Sequence, residues 1–357
     1  MYIDKLMKIL PEKADAALII TEINRFYFTG FDSSDGYLLI TRDKSKFYTD
    51  SRYIEKAQSV IKDCEVEEQK TDINLKMAEF LHSENVKTVA VEAAGITVLQ
   101  LSNLKKAAGM RDYEYISDGC LDVAVNTLRS VKNKTEIQKI ISAQEIAEKA
   151  LDKLLGEIKP GMTEKEAQLK LDYYMLSMGA DALSFDTIMA SGKNSSMPHA
   201  VPTDKKIEYG DFITIDYGAV KSGYHSDTTR TVAVGKVSDE QKKIYSTVLE
   251  AQKKALSIYA EGVTCKDADF AARKVIEDAG YGKYFGHSTG HGVGVEIHER
   301  PFVSPVSRET LRQGNVISCE PGIYLPGKFG VRIEDIAVIT SNGCENLVKL
   351  DKELIEL

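Results

Sequence analysis

The chain is short of positive charge, of cysteine pairs and of long apolar runs. Across 357 residues, 46 Lys and Arg face 54 Asp and Glu, a formal net charge of −8. That balance argues against a protein that binds nucleic acid by displacing counterions from phosphates. The five cysteines, Cys64, Cys120, Cys265, Cys319 and Cys344, are odd in number, scattered and contain no CxxC pair. A zinc ribbon and a thioredoxin-like motif are thereby excluded, and a reducing cytoplasm is the expected compartment. No apolar stretch approaches the roughly 18 residues of a membrane span, and Met1-Tyr2-Ile3-Asp4-Lys5 leads into no signal-peptide core. No glycine-rich phosphate loop follows any strand-like segment of the first half, so nucleotide binding has little support there. Histidine is scarce as well. Of six, five (His199, His225, His287, His291 and His298) fall within about 100 residues of one another.

What remains is an ordinary globular balance, 43% apolar and 28% charged, in a chain long enough for two domains of about 100–200 residues each. The N-terminal part alternates short apolar strands (Ala16 to Ile20, Gly36 to Ile40, Lys87 to Val91) with a helical pattern around Asn74 to Ser83. This predicts a small α/β domain over residues 1–128. Asn133-Lys134-Thr135-Glu136 then supplies a capping box for a long amphipathic helix that must stop by Pro160-Gly161. A second domain, 129–357, starts there.

That second domain repeats itself. Gly161-Met162-Thr163-Glu164-Lys165-Glu166-Ala167 aligns with Gly262-Val263-Thr264-Cys265-Lys266-Asp267-Ala268, and the following helices end at Gly179 and Gly280, each match 101 residues apart. Shared helix-entry chemistry explains part of the likeness, but the constant offset favours duplication. Two similar α+β halves about a pseudo-twofold axis follow.

Each half carries a strand that runs into an acid. Phe212 to Asp216 returns through Asp227 to Val232, and a turn centred on Lys221-Ser222 would set Asp216 directly opposite Asp227. Two such charges about 5 Å apart repel by about 3 kcal/mol at an effective dielectric near 20. The second half offers Glu320, after Val316 to Cys319, and Glu334, after Val331-Arg332-Ile333. Taken alone, an Asp at a strand end is most often a turn or cap residue. Two repeat-related acid pairs flanking the chain's one histidine cluster point instead to a cation. Hard oxygen ligands with one imidazole suit Mn²⁺, Co²⁺ or Zn²⁺.

At these residues the sequence resembles the proline-peptidase and methionine-aminopeptidase superfamily of pita-bread fold, and within it the Xaa-Pro dipeptidases and aminopeptidases P. The matching segments are Ile215-Asp216-Tyr217-Gly218, Ser226 to Thr231, His287 to Glu299, Glu320-Pro321-Gly322-Ile323-Tyr324 and Gly330 to Asp335, while Phe26 to Gly30 and Thr49 to Tyr53 resemble a creatinase-type N-terminal domain. The resemblance implies a dinuclear centre held by Asp216, Asp227, His291, Glu320 and Glu334. Asp227 and Glu334 bridge the two ions, Asp216 completes one site, and His291 with Glu320 completes the other. It further implies a hydroxide bridging the ions, Mn²⁺ ahead of Co²⁺ or Zn²⁺, and Glu320 as proton shuttle. His199 and His298 would contact substrate and oxyanion, His287 would stand near the proline side, and Tyr324 and Arg332 would help to bind substrate or to orient carboxylates. Short proline-containing peptides would be the substrates of a cytoplasmic homodimer without nucleic-acid or membrane partners. A creatinase-like amidinohydrolase and a silent peptide-binding module are the alternatives; neither needs all five ligand positions filled.

Overall fold

A computed structural model describes residues 2–357 apart from Thr71, Met110 and Asp112. The chain divides into two compact units, Met1–Arg129 and Ser130–Leu357. In the first, a six-stranded mixed sheet runs in the order Glu65–Glu68, Ser45–Thr49, Tyr37–Thr41, Ala16–Ile19, Thr88–Val91, Glu114–Ile116. Its central strand, Ala16–Ile19, is buried throughout and pairs antiparallel with Tyr37–Thr41 and parallel with Thr88–Val91. The helix Ile73–Ser83 lays Ile73, Met77, Phe80 and Leu81 against that sheet, the three- and four-residue spacing that an apolar helix face requires. This is the α/β domain expected from the alternating pattern. Among the described residues no helix is long and apolar enough to cross a membrane, and all five cysteines are free.

The second unit shows the duplication in three dimensions. Its first half places the helices Lys134–Leu155 and Glu164–Ser177 ahead of strands Ile188–Ser191, Phe212–Tyr217 and Thr228–Ala233; its second places Asp239–Leu256 and Cys265–Asp278 ahead of Gly290–Gly292, Val316–Cys319 and Asp335–Thr340. The long helix opens on the expected capping box, with Asn133 and Glu136 bonding each other's backbone N–H groups. Thr163 and Thr264 cap the equivalent second helices. The same backbone exchanges recur around them: Gly161 N–H donates to Ile207 O and Gly262 N–H to Leu311 O, each at 2.9 Å. Each half has its own apolar core between helices and sheet. The result is the pita-bread fold, two α+β halves with their sheets lining the space between them.

Strand alternation decides what faces that space. Ile213, Ile215 and Tyr217 enter the core of the first half, which turns Thr214 and Asp216 to the other side. Likewise Ile317 and Cys319 enter the core of the second half, so Glu320 follows on the opposite face.

One expectation needs correction. The hairpin after Phe212–Tyr217 turns on Ser222-Gly223, not Lys221-Ser222: Val220 pairs with His225 and Lys221 with Tyr224. A two-residue turn of this kind needs positive φ at both central positions, and Ser222 (52°) and Gly223 (74°) supply it. Glycine takes that conformation without steric cost, so the turn settles one residue later. Asp216 therefore pairs with Thr229, and Asp227 lies diagonally, two residues along. A slip of two keeps every side chain on its face, so both carboxylates still point the same way. In the second half, Cys319 pairs with Asp335 and Gly322 with Arg332, a continuous register that brings Glu320 opposite Glu334.

Ser222 is one of few non-glycine residues at positive φ. Ser222→Gly should raise stability by about 0.5 kcal/mol, the steric penalty removed less the added chain entropy. Urea unfolding checks this; a lowered midpoint would contradict the turn assignment.

Candidate metal centre

Asp216, Asp227, His291, Glu320 and Glu334 all line one cavity of about 460 Å³ in the second unit, together with His199, His287, His298 and Arg332. Ligand atoms of Asp227, His291 and Glu334 lie within 4.8 Å of one another, and all three residues are buried. His291 Nε2 is 3.5 Å from both Asp227 Oδ2 and Glu320 Oε1, too far for good hydrogen bonds and close enough to share a central ion. Three of the five, His291, Glu334 and Asp216, are fixed from outside the cluster. His291 Nδ1 lies 3.0 Å from the Gly292 carbonyl, so it carries the proton and Nε2 offers its lone pair inward. Thr229 donates to Glu334 Oε2 at 2.7 Å, and Arg332 donates to Asp216 Oδ2 at 2.6 Å and to Thr229 Oγ1 at 3.0 Å. Asp216 Oδ1, buried beside the cluster, has no hydrogen-bond partner.

The electrostatics agree with the geometry. Burial, reinforced by Asp216 and Glu320, pushes the Asp227 carboxyl well above its ordinary range, and burial with Asp227 and Glu320 does the same to Glu334. Burial raises Glu320 to about 7. His291 is driven down to about 4 by burial and by neighbouring His298, so it is neutral at pH 7. A neutral imidazole nitrogen and several carboxyl oxygens thus converge in one buried cluster. This donor set, with the unpartnered Asp216 oxygen, fits divalent cations.

The remaining predicted residues surround this centre. His287 Nε2 meets the Tyr324 hydroxyl at 2.9 Å, and Arg332 donates to the same hydroxyl at 3.0 Å and to the Pro198 carbonyl at 3.2 Å. Tyr324 therefore acts on the cavity wall through His287 and Arg332. The His298 ring stacks edge-on against His291, centroids 4.4 Å apart. His225 stays outside the cavity; its backbone N–H donates to Gly294 O.

Three contributions had not been read from the sequence. Phe185, Ile188, Ile297 and Phe302 give the cavity an apolar side, which no local pattern announces. Thr229 had been quoted only as part of a motif. Glu164, wholly buried, accepts from the backbone N–H groups and hydroxyls of Ser191 and Thr203 and from Asn194, and so ties both ends of the loop that presents His199. The repeat gives no signal for it, because Cys265 occupies the corresponding position of the second half.

Comparison with known proteins finds matches over both units. Residues 138–341 match metallopeptidase family M24, and residues 3–131 match the creatinase/prolidase N-terminal domain. The chain is 39% identical to an Xaa-Pro dipeptidase of Pyrococcus furiosus, with 99% of each covered, and 42% identical to one of Pyrococcus horikoshii, covering 96% of this chain and 94% of the relative. Among solved structures, an Xaa-Pro dipeptidase from Bacillus anthracis superposes with a TM-score of 0.95 at 40% identity, covering 99% of each chain. An X-Pro aminopeptidase from Thermotoga maritima gives 0.91 at 39% identity, covering 99% of this chain and 100% of the other.

The pKa directions predict how metal-free protein responds to pH. Carboxyls with raised folded values hold protons that the unfolded chain has lost, so their contribution to stability falls as pH rises through those values. Below about pH 6.5 the buried, neutral histidines act in the opposite sense. Above it, and below the range in which cysteines ionise, the carboxyls act alone. Chelated protein should therefore lose melting temperature as pH rises from about 6.5 through about 7, and added Mn²⁺ should flatten the slope. Identical slopes with and without metal would contradict the coupled cluster.

Proposed function

The chain belongs to metallopeptidase family M24, and from that premise we propose that it hydrolyses the bond between an N-terminal residue and proline in dipeptides or short peptides. The observation that carries this reading is the convergence of four carboxylates and one neutral imidazole in a single cavity flanked by further histidines. Asp216, Asp227, His291, Glu320 and Glu334 would together hold two divalent cations. Mn²⁺ is the ion we expect, Co²⁺ or Zn²⁺ the alternatives. When bound, the pair supplies Lewis acidity toward the scissile carbonyl and a water acidic enough to attack at neutral pH.

The chain's own groups do the rest. Glu320, at 19%, has the most open side chain of the ligand carboxylates in contact with His291. A carboxyl near neutrality in its proton affinity can take a proton and pass it to the prolyl nitrogen as that nitrogen leaves. His199 and His298, both on the cavity wall, can each offer a ring N–H to the oxygen on which negative charge develops. Burial lowers the proton affinity of His298, so it donates as a neutral imidazole. His287 is held down to about 4, chiefly by burial and then by Arg332. It presents an uncharged face, beside apolar Phe285 at 5.0 Å between ring centroids, which suits a proline ring. Arg332 holds Asp216 in place through its 2.6 Å contact with Oδ2.

Proline imposes a further condition. A prolyl amide nitrogen carries no hydrogen, so selection rests on shape rather than on a hydrogen bond to that atom. The apolar residues Phe185, Ile188, Ile297 and Phe302 supply the shape.

Purified protein, chelated and then reloaded with Mn²⁺ or Co²⁺, should hydrolyse Xaa-Pro dipeptides or Xaa-Pro-Yaa tripeptides. Turnover of neither would overturn the proposal, and the ratio between them separates dipeptidase from aminopeptidase action. Glu320→Gln should keep at least part of the metal while losing roughly 100-fold or more in kcat. Unchanged turnover would remove Glu320 from the proton path.

A further inference from the structure

A buried ion pair stands behind the histidine segment and takes no part in the chemistry described. Lys132 Nζ lies 2.8 Å from Glu299 Oε2, with the two side chains only 1% and 3% exposed. The other oxygen, Glu299 Oε1, accepts the backbone N–H of Glu296 at 3.1 Å. Gly292 pairs with Glu299 across antiparallel strands, and the register breaks between His291 and Gly292. Residues 293–298 are thus a closed loop whose mouth is sealed by Gly292 and Glu299, with His291 two residues before it and His298 as its last residue.

The carboxylate reaches into this loop rather than away from it. A side chain at Gly294 would collide with it, which explains glycine at that position. Gly294 N–H donates to Glu296 O at 3.0 Å, and Gly294 O accepts from His225 N–H at 2.9 Å. Lys132 is equally well anchored. Its backbone N–H donates to Gly314 O at 2.8 Å, and Asn315 Nδ2 donates to Ser130 O at 2.8 Å. The lysine therefore reaches the loop from a fixed base.

We propose that Lys132 and Glu299 are positioning residues that close the 293–298 loop and set where the His298 ring enters the cavity, beside His291. His291 is anchored separately, through its backbone N–H to Ser318 Oγ at 3.1 Å and its Nδ1 to Gly292 O. Losing the pair should consequently move His298 and spare the metal ligand. The inference rests on the peptidase reading for the role of His298, while the clamp itself does not.

Lys132→Met removes the ammonium 2.8 Å from a buried carboxylate. It should lower kcat roughly 10- to 100-fold, the scale of a displaced catalytic group, with KM little changed and metal content retained. Loss of stability alone could produce the same fall, so a second variant separates the causes. Replacing a buried ion pair by apolar side chains of similar volume is commonly neutral or stabilising. Lys132→Met combined with Glu299→Leu should restore the melting temperature but not kcat, because the acceptor for Glu296 N–H is gone. Recovery of kcat together with stability would overturn the proposal. Imidazole NMR of the metal-free protein gives a readout independent of turnover: the ring-nitrogen signals of His298 should shift in both variants, and unshifted signals would refute the clamp. Wild-type protein inactive on every Xaa-Pro peptide, with His298 shifts as expected, would sink the peptidase reading and leave the clamp standing.

Discussion

Four carboxylates are held face to face in the interior of the catalytic unit, and most of the surrounding structure follows from the need to keep them there. Burial and mutual repulsion raise the proton affinities of three of them, Asp227, Glu320 and Glu334. One cation, the Arg332 guanidinium, is committed to Asp216. Removing such repulsion requires either protons or divalent ions, and only the second leaves a neutral histidine nitrogen directed inward with something to bind. The outer contacts make sense on the same terms. Thr229, Gly292 and Arg332 each fix one ligand by a hydrogen bond that leaves its inward atom free.

The duplicated architecture explains how a folding chain tolerates such a cluster. Each half contributes one acid pair on a hairpin, and each hairpin is anchored by a separate apolar core. Asp335, next to Glu334 and fully buried, belongs to a different network, paired with Arg230 at 2.8 Å and hydrogen-bonded by Gln252 and Asn346 at 2.8 Å each. Arg230 also donates to the Glu334 carbonyl at 2.6 Å. One strand of the first half is thereby locked to the ligand-bearing turn of the second. Adjacent acids, Glu334 and Asp335, thus serve unlike purposes because alternate residues of a strand face opposite sides.

Much of this was legible in the residues themselves. The offset of 101 foretold two helices with matching caps, and the acids at the ends of Phe212 to Asp216 and Val316 to Glu320 foretold two carboxylate pairs. The register of the first hairpin is not fixed by pattern, because Lys221-Ser222 and Ser222-Gly223 both divide the segment plausibly, and only the demand for positive φ at both turn positions selects the second. The parity of the slip kept the functional conclusion intact. The contacts that support the site from distant segments were not legible. Lys132 and Glu299 are separated by 167 residues, and Glu164 acts on a loop some 27 to 39 residues away. Neither partner carries a local signal. The apolar wall of Phe185, Ile188, Ile297 and Phe302 is likewise assembled only by the fold.

The central claim is that these acids exist to hold two ions in one cavity. It is tested most directly by anomalous diffraction from crystals soaked in Mn²⁺, collected on both sides of the manganese absorption edge. The account predicts two peaks a few ångströms apart, one touching Asp216, the other touching His291 and Glu320, and both touching Asp227 and Glu334. No peak among these five residues, or a peak only elsewhere on the protein, would contradict it.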